Sequence, residues 1–122
     1  MMNAFSRAFW QKGMEYAGSR NHDMTTANMK RFKAFFGTTP GICEFIWNNA
    51  FLALSIENSG LRFYHLLWGL MFLKLYSTEQ ILCAHVGGVD EKTFRKYVWI
   101  VVPSICTNLK PRVVSYMLFS FL

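Results

Sequence analysis

The sequence predicts an all-α fold, a small helical bundle containing a helix-turn-helix. Apolar residues recur at helical spacing in one stretch after another, and helix start and stop signals fall between those stretches. No segment shows the apolar–polar alternation of a half-buried strand. The chain has 122 residues, 52% of them apolar and 17% aromatic. That is ample surface for one buried core and too much for wholesale disorder.

Taken in order, residues 1–27 lack clean periodicity and carry turn formers at Gly13, Gly18 and "SRNHD". They read as an N-terminal extension outside the main core, ahead of a helical domain over 28–112. In "NMKRFKAFFG", Met29, Phe32, Phe35 and Phe36 recur at helical spacing, Lys30 and Lys33 turn to solvent, and Gly37 suits the position just past the helix end. "TTPG" starts the next helix, with Thr39 as N-cap and Pro40 in the first turn. That helix, about 40–54, aligns Ile42, Phe45, Ile46 and Ala53, and a polar loop over 55–60 follows. From Leu61 to Tyr76 only Arg62, His65, Gly69 and Lys74 interrupt the apolar residues, as expected of a helix at the centre of a bundle. His65 reads there as a packed core histidine. "STEQ" is a capping box in which Ser77 caps the amide of Gln80 and Gln80 reaches back. Gly87-Gly88 ends that short helix. Asp90 caps the last one, whose Phe94, Val98, Val101 and Ile105 share a stripe, and Pro103 should kink or end it. An apolar tail, 113–122, closes the chain.

Composition narrows the function classes. The net charge is +6, concentrated in the second half, which favours polyanionic partners through phosphate attraction and counterion release. Cys43, Cys83 and Cys106 are odd in number and widely spaced, so they form neither a disulfide framework nor a metal-binding pair and read as small buried hydrophobes in a reducing compartment. Cys83 and His85 have no second ligand pair, so no zinc site is expected. The longest apolar stretch, "FYHLLWGLMFL" (63–73), falls short of the ~20 residues that span a bilayer. No signal peptide is evident at the N-terminus. No Gly-rich phosphate loop, nucleophile–base pair or metal cluster appears, so neither an enzyme, a cofactor nor a small-molecule substrate is expected.

The stretch "EQILCAHVGGVDEKTFRKYVWIV" (79–101) lies within the expected helix-turn-helix, about 78–102. Such a unit needs a small residue where its helices cross, a glycine in a left-handed turn, and apolar anchors beneath the second helix. Ala84, Gly88 and the set Val89, Phe94 and Tyr97 or Val98 fill these roles, although Gly87 stands where a larger apolar residue is usual. Lys92, Arg95 and Lys96 share the face opposite Phe94 and Val98, and Thr93 joins Lys92 in the first turn. Arg95 suits guanine contacts, Lys92 or Lys96 phosphate. The alternative is a solvated basic face in which Glu91 and Arg95 form an i, i+4 ion pair.

Three blocks, "RFKAFFGTTPGICEFIWN" (31–48), "HLLWGLMFLKLYSTEQ" (65–80) and "GGVDEKTFRKYVWIVVPSI" (87–105), together resemble the N-terminal helical region of Harbinger-type DDE transposases. The resemblance covers roughly residues 29–115. It implies double-stranded DNA as partner, engaged by the helix that starts at Asp90 through Lys92, Thr93, Arg95 and Lys96, and a nuclear location. In the family this region precedes a catalytic domain whose three carboxylates hold divalent metals. Here only seven acidic residues exist, on scattered elements, so the resemblance is to a DNA-binding portion without nuclease chemistry. Two other classes stay open: a protein-interaction module that self-associates through the apolar tail, and a small membrane-associated protein.

Overall fold

The computed structural model describes residues 4–52, 60–75 and 77–108, the last three of these by backbone alone, and every regular element among them is helical. The helices are α1 (Ala4–Tyr16), α2 (Thr26–Phe36), α3 (Pro40–Ile46, continuing as a wider π turn over Trp47–Phe51), α4 (Phe63–Leu75), α5 (Glu79–His85) and α6 (Glu91–Asn108). They form the small helical bundle that the periodicity predicts. The polar loop expected over 55–60, apart from Gly60, and the tail 113–122 lie outside the described residues.

Local signals explain most boundaries. The Thr25 hydroxyl accepts the Asn28 amide at the start of α2, and Gly37 ends that helix at φ 77°, its amide donating to the Lys33 carbonyl. Only a residue without Cβ takes that left-handed position freely. Thr39 caps α3 through the Ile42 amide, with Pro40 behind it. Asp90 caps α6, its Oδ1 accepting the Thr93 amide at 3.0 Å. At α5 the cap differs from the expected box: Thr78, not Ser77, caps the helix by accepting the Ile81 amide at 3.3 Å. Sliding the start by one residue also moves Gln80 out of the position from which it would reach back.

α4 is the hub. It packs against α1, α2, α5 and α6, which is why it is apolar on every side. Leu66, Leu67, Leu70 and Met71 are fully buried, and Gly69 marks the close crossing with α6. A Cβ placed on Gly69 would lie 3.1 Å from the Cβ of Val101 and closer still to its Cγ1. Aromatic pairs knit the layers: Trp68 stacks on Phe94 at 5.6 Å, Trp10 on Phe32 at 5.8 Å, and Phe9 meets Phe63 edge-on at 5.2 Å.

Residues 4–16 are not an extension outside the core. Phe9, Trp10, Met14 and Tyr16 of α1 are buried in the common hydrophobic cluster, and Gly13 lets the rings of Phe32 and Phe36 approach its backbone. The Trp10 indole donates to the His22 carbonyl at 2.7 Å, and the Ser6 hydroxyl donates to Glu44, tying α1 to α3. The small and polar residues interspersed in this segment mask its helical stripe: Ser6 and Gly13 occupy buried positions where a pattern reading looks for hydrophobes. In α3 the buried side is Cys43, Ile46, Trp47, Ala50 and Phe51, whereas Phe45 is 47% exposed. Cys43, Ile46, Trp47 and Ala50 follow ordinary helical spacing, so the inward stripe runs through them and leaves Phe45 outside.

Pro103 does not end α6, which runs on to Asn108. Proline cannot donate to the carbonyl one turn back, and the neighbouring Ser104 hydroxyl donates to the Ile100 carbonyl at 2.7 Å. Phe94, Val98, Val101 and Ile105 all face inward as the stripe predicts.

Candidate nucleic-acid interface

α5, the turn and α6 form a helix–turn–helix unit. Val86 closes α5 with its amide on the Leu82 carbonyl, and the Gly88 amide reaches the Cys83 carbonyl at 2.8 Å. Gly87 and Gly88 take φ of 93° and 78°, so the turn needs two glycines rather than one. Gly87 is exposed and a Cβ there would meet open space, so it is not an anchor position; Val86, which is buried, and Val89, which packs on the core, hold the turn. Phe94 and Val98 anchor α6 to α4. Ala84 does not sit at the crossing of the two helices: it is exposed, and Leu82 and Cys83 are the buried residues of α5. The helix is seven residues long, and its one inward side is taken by the larger side chains.

The four expected contact residues occupy one end of α6 but in different states. Lys92 is fully on the surface. Lys96 is exposed, its ammonium 5.2 Å from the centroid of the Tyr97 ring. Thr93 is committed to the cap, its hydroxyl donating to Asp90 Oδ2 at 2.8 Å. The Thr93 amide and hydroxyl, with one further bond from the Lys92 amide and the Lys92 charge, hold the Asp90 carboxyl below the usual carboxylate range. Arg95 is held too. Its Nη2 lies 2.7 Å from Glu79 Oε2, and its Nε donates to both Glu79 oxygens at 3.2 Å. This fork onto α5 replaces the Glu91–Arg95 pair expected from spacing. An arginine so held presents less of its fork to a base edge, which leaves Lys92 and Lys96 as the free cations of this face.

One turn beyond Lys96, Trp99 is 61% exposed on the same side of α6. Spacing along the helix would have placed it there, next to Lys92, Arg95 and Lys96, yet attention to charge alone passes over it.

On the other flank of α6, a groove of about 530 Å³ opens between α1, α4 and the turn. Tyr97 and Thr93 of α6, Tyr64 and His65 of α4, and Lys12 and Tyr16 of α1 line it, with Arg62 at its edge. His65 holds the third position of α4 and accepts the Arg62 amide on Nδ1 at 2.8 Å, doing what glutamate does in a capping box. Its ring stacks on Tyr97 with centroids 3.7 Å apart and planes 5° from parallel. Burial, then the positive charges of Arg62 and Lys96, push its pKa down to about 4, so it is neutral with its proton on Nε2. The Trp68 indole donates to the Tyr16 hydroxyl at 3.1 Å, and burial raises the Tyr16 pKa to about 12, so that this hydroxyl stays protonated.

Among the described residues no group of three metal-ligating side chains occurs, and Cys43 and Cys83 are buried free thiols. Burial pushes the Cys43 thiol far up, which makes it inert as a nucleophile. No described helix is long and apolar enough to cross a membrane.

Comparison with protein-family models, curated proteins and solved structures finds no match to this chain. The transposase resemblance therefore rests on the three blocks 31–48, 65–80 and 87–105 of the sequence.

Proposed function

We propose that the chain is a DNA-binding helical module that acts in the nucleus, similar to the N-terminal region of a DDE transposase and without nuclease activity of its own. The observation that carries this reading is the outer face of α6. There Lys92 and Lys96 stand in solvent on a helix whose opposite side is locked into the core by Phe94 and Val98. A rigid, basic helix after a tight turn is the shape that enters a major groove. Lys92 and Lys96 contact phosphates, and Arg95 reads a base when it leaves Glu79.

The test is fluorescence anisotropy of a labelled duplex titrated at several salt concentrations. The proposal expects salt-sensitive binding, and in the double variant Lys92→Ala/Lys96→Ala a salt slope shallower by about two on logarithmic axes, roughly one for each lysine that no longer neutralises a phosphate. Equal affinity and slope in a folded double variant would overturn it.

A second reading, a protein-interaction module, is favoured by exposed Trp99 on α6 and exposed Ile81 on α5. It expects concentration-dependent mass in sedimentation that Trp99→Ser abolishes. A monomer at every concentration, with duplex binding intact, would dismiss self-association.

A further inference from the structure

The groove between α1, α4 and α6 has a composition that the duplex-binding face does not explain. Half-exposed rings of Tyr64 and Tyr97 line it beside two cations, Lys12 and Arg62, and no carboxylate is among its described lining residues. Lys12 holds its ammonium 5.5 Å from the Tyr16 ring centroid and 5.6 Å from that of Tyr64. Its one ion pair among the described residues is with Glu15 at 3.5 Å, three residues along the same helix, and Glu15 is largely in solvent. Such a surface pair is weak and exchanges readily for a doubly charged phosphate. Neutral donors complete the wall. The Tyr16 hydroxyl already accepts from Trp68 and so has its own proton to give, and the Nδ1 bond of His65 leaves an N–H at Nε2.

The chemistry selects the ligand class. Two cations, with no carboxylate among the described lining residues, disfavour a methylammonium group, which aromatic pockets otherwise attract. A simple inorganic anion would use the cations but none of the aromatic surface. A flat ring carrying negative charge uses both, as in sites that take unpaired bases on aromatic platforms beside a basic track. The volume of about 530 Å³ lies within the roughly 300–1,000 Å³ of small-molecule sites.

We propose that this groove binds a single unpaired nucleotide, its base stacked on Tyr64 and against the edge of Tyr97, whose face is taken by His65, and its phosphate on Lys12 and Arg62. The site goes beyond the duplex reading and does not require it, because Lys92 is not among the residues that line the groove. The nucleotide comes either from a single-stranded DNA segment or from the free pool.

The test uses the full chain and a labelled oligothymidylate, with thymidine monophosphate as competitor and a closed hairpin duplex as control. Tyr64→Ala should weaken the single strand about tenfold or more, as loss of one stacked base does, and leave hairpin affinity unchanged. Lys12→Glu, a surface change that keeps the result readable if Tyr64→Ala fails to fold, should weaken it similarly. Lys92→Ala should do the reverse, weakening the hairpin and sparing the strand. Competition by thymidine monophosphate with a site lost in both groove variants identifies a free-nucleotide pocket; strand binding without such competition identifies an unpaired DNA segment. Absence of any binding to oligothymidylate and monophosphate, or binding untouched by Tyr64→Ala and Lys12→Glu, overturns the proposal, whatever the hairpin does.

Discussion

Lowering the pH should destabilise this protein through one side chain, His65. The imidazole is buried, caps α4 through Nδ1, stacks on Tyr97 and faces the positive charges of Arg62 and Lys96. Protonation takes away the lone pair that accepts the Arg62 amide and adds a third positive charge beside the other two. The folded pKa of about 4 lies below the ordinary 6.5. The unfolded chain therefore binds the proton first, and stability present above pH ~6.5 is lost as pH falls toward 4. Going from about pH 7 to about pH 4.5, the two pKa values set a ceiling of about 2.4 kcal/mol on that loss. Because the ring borders the groove, solvent screening brings the expected loss to about half of this. Urea unfolding at the two pH values, followed by tryptophan fluorescence, measures it in the wild type and in His65→Gln. Glutamine keeps an acceptor for the Arg62 amide but does not titrate. The variant loses the Tyr97 stack and is weaker at neutral pH, but its stability should fall by about 1 kcal/mol less between the two conditions. Equal losses in both proteins would refute the assignment of the acid sensitivity to His65.

The cap of α5 gives a sharper local test: Thr78→Ala should cost about 1 kcal/mol in urea unfolding and Ser77→Ala almost nothing, and the reverse order would restore the capping box expected from "STEQ". Gly13→Ala would place a Cβ 2.8 Å from Phe32 Cδ2 and 3.0 Å from Phe36 Cε2. Overpacking of about 1–3 kcal/mol should outweigh the helix-propensity gain of at most about 1 kcal/mol, giving a lower melting temperature; an unchanged one would place α1 outside the core after all. Glu79→Ala removes the acceptor of the Arg95 fork, so duplex affinity should rise several-fold at constant salt. The added change Arg95→Gln should abolish the gain, and a gain that persists would assign it to charge alone.

Legibility in the sequence followed the range of the interaction. Gly37, the Thr39-Pro40 start, Asp90 and the Gly87-Gly88 stop act within a few residues, and each acts where the chain order places it. The stripe of α6 and the all-round apolarity of α4 are equally local, since a regular helix turns spacing directly into direction. Apart from the one-residue slip of the α5 cap, the expectations that failed depend on distant partners. α1 belongs to the core because Phe32 and Phe36 accept Gly13 between them, and nothing in its own periodicity announces that fit. Phe45 turns outward because the core takes the equally regular stripe of Cys43, Ile46, Trp47 and Ala50, a choice made by packing against α1.

The same division runs through the candidate sites. The positions of Lys92, Thr93, Arg95 and Lys96 at the start of a helix were readable from order alone. Which of their charges are free was not, because Glu79 is sixteen residues from Arg95 and meets it only when α5 folds back on α6. Nor was the groove, whose rings and cations come from three helices spanning Lys12 to Tyr97. By itself the sequence determined that this protein is helical, where most of its helices begin and end, and that one of them is basic. Only the tertiary structure decided which side chains are buried, which charges are paired and which rings share a cleft, because those depend on contacts between residues that order along the chain keeps far apart.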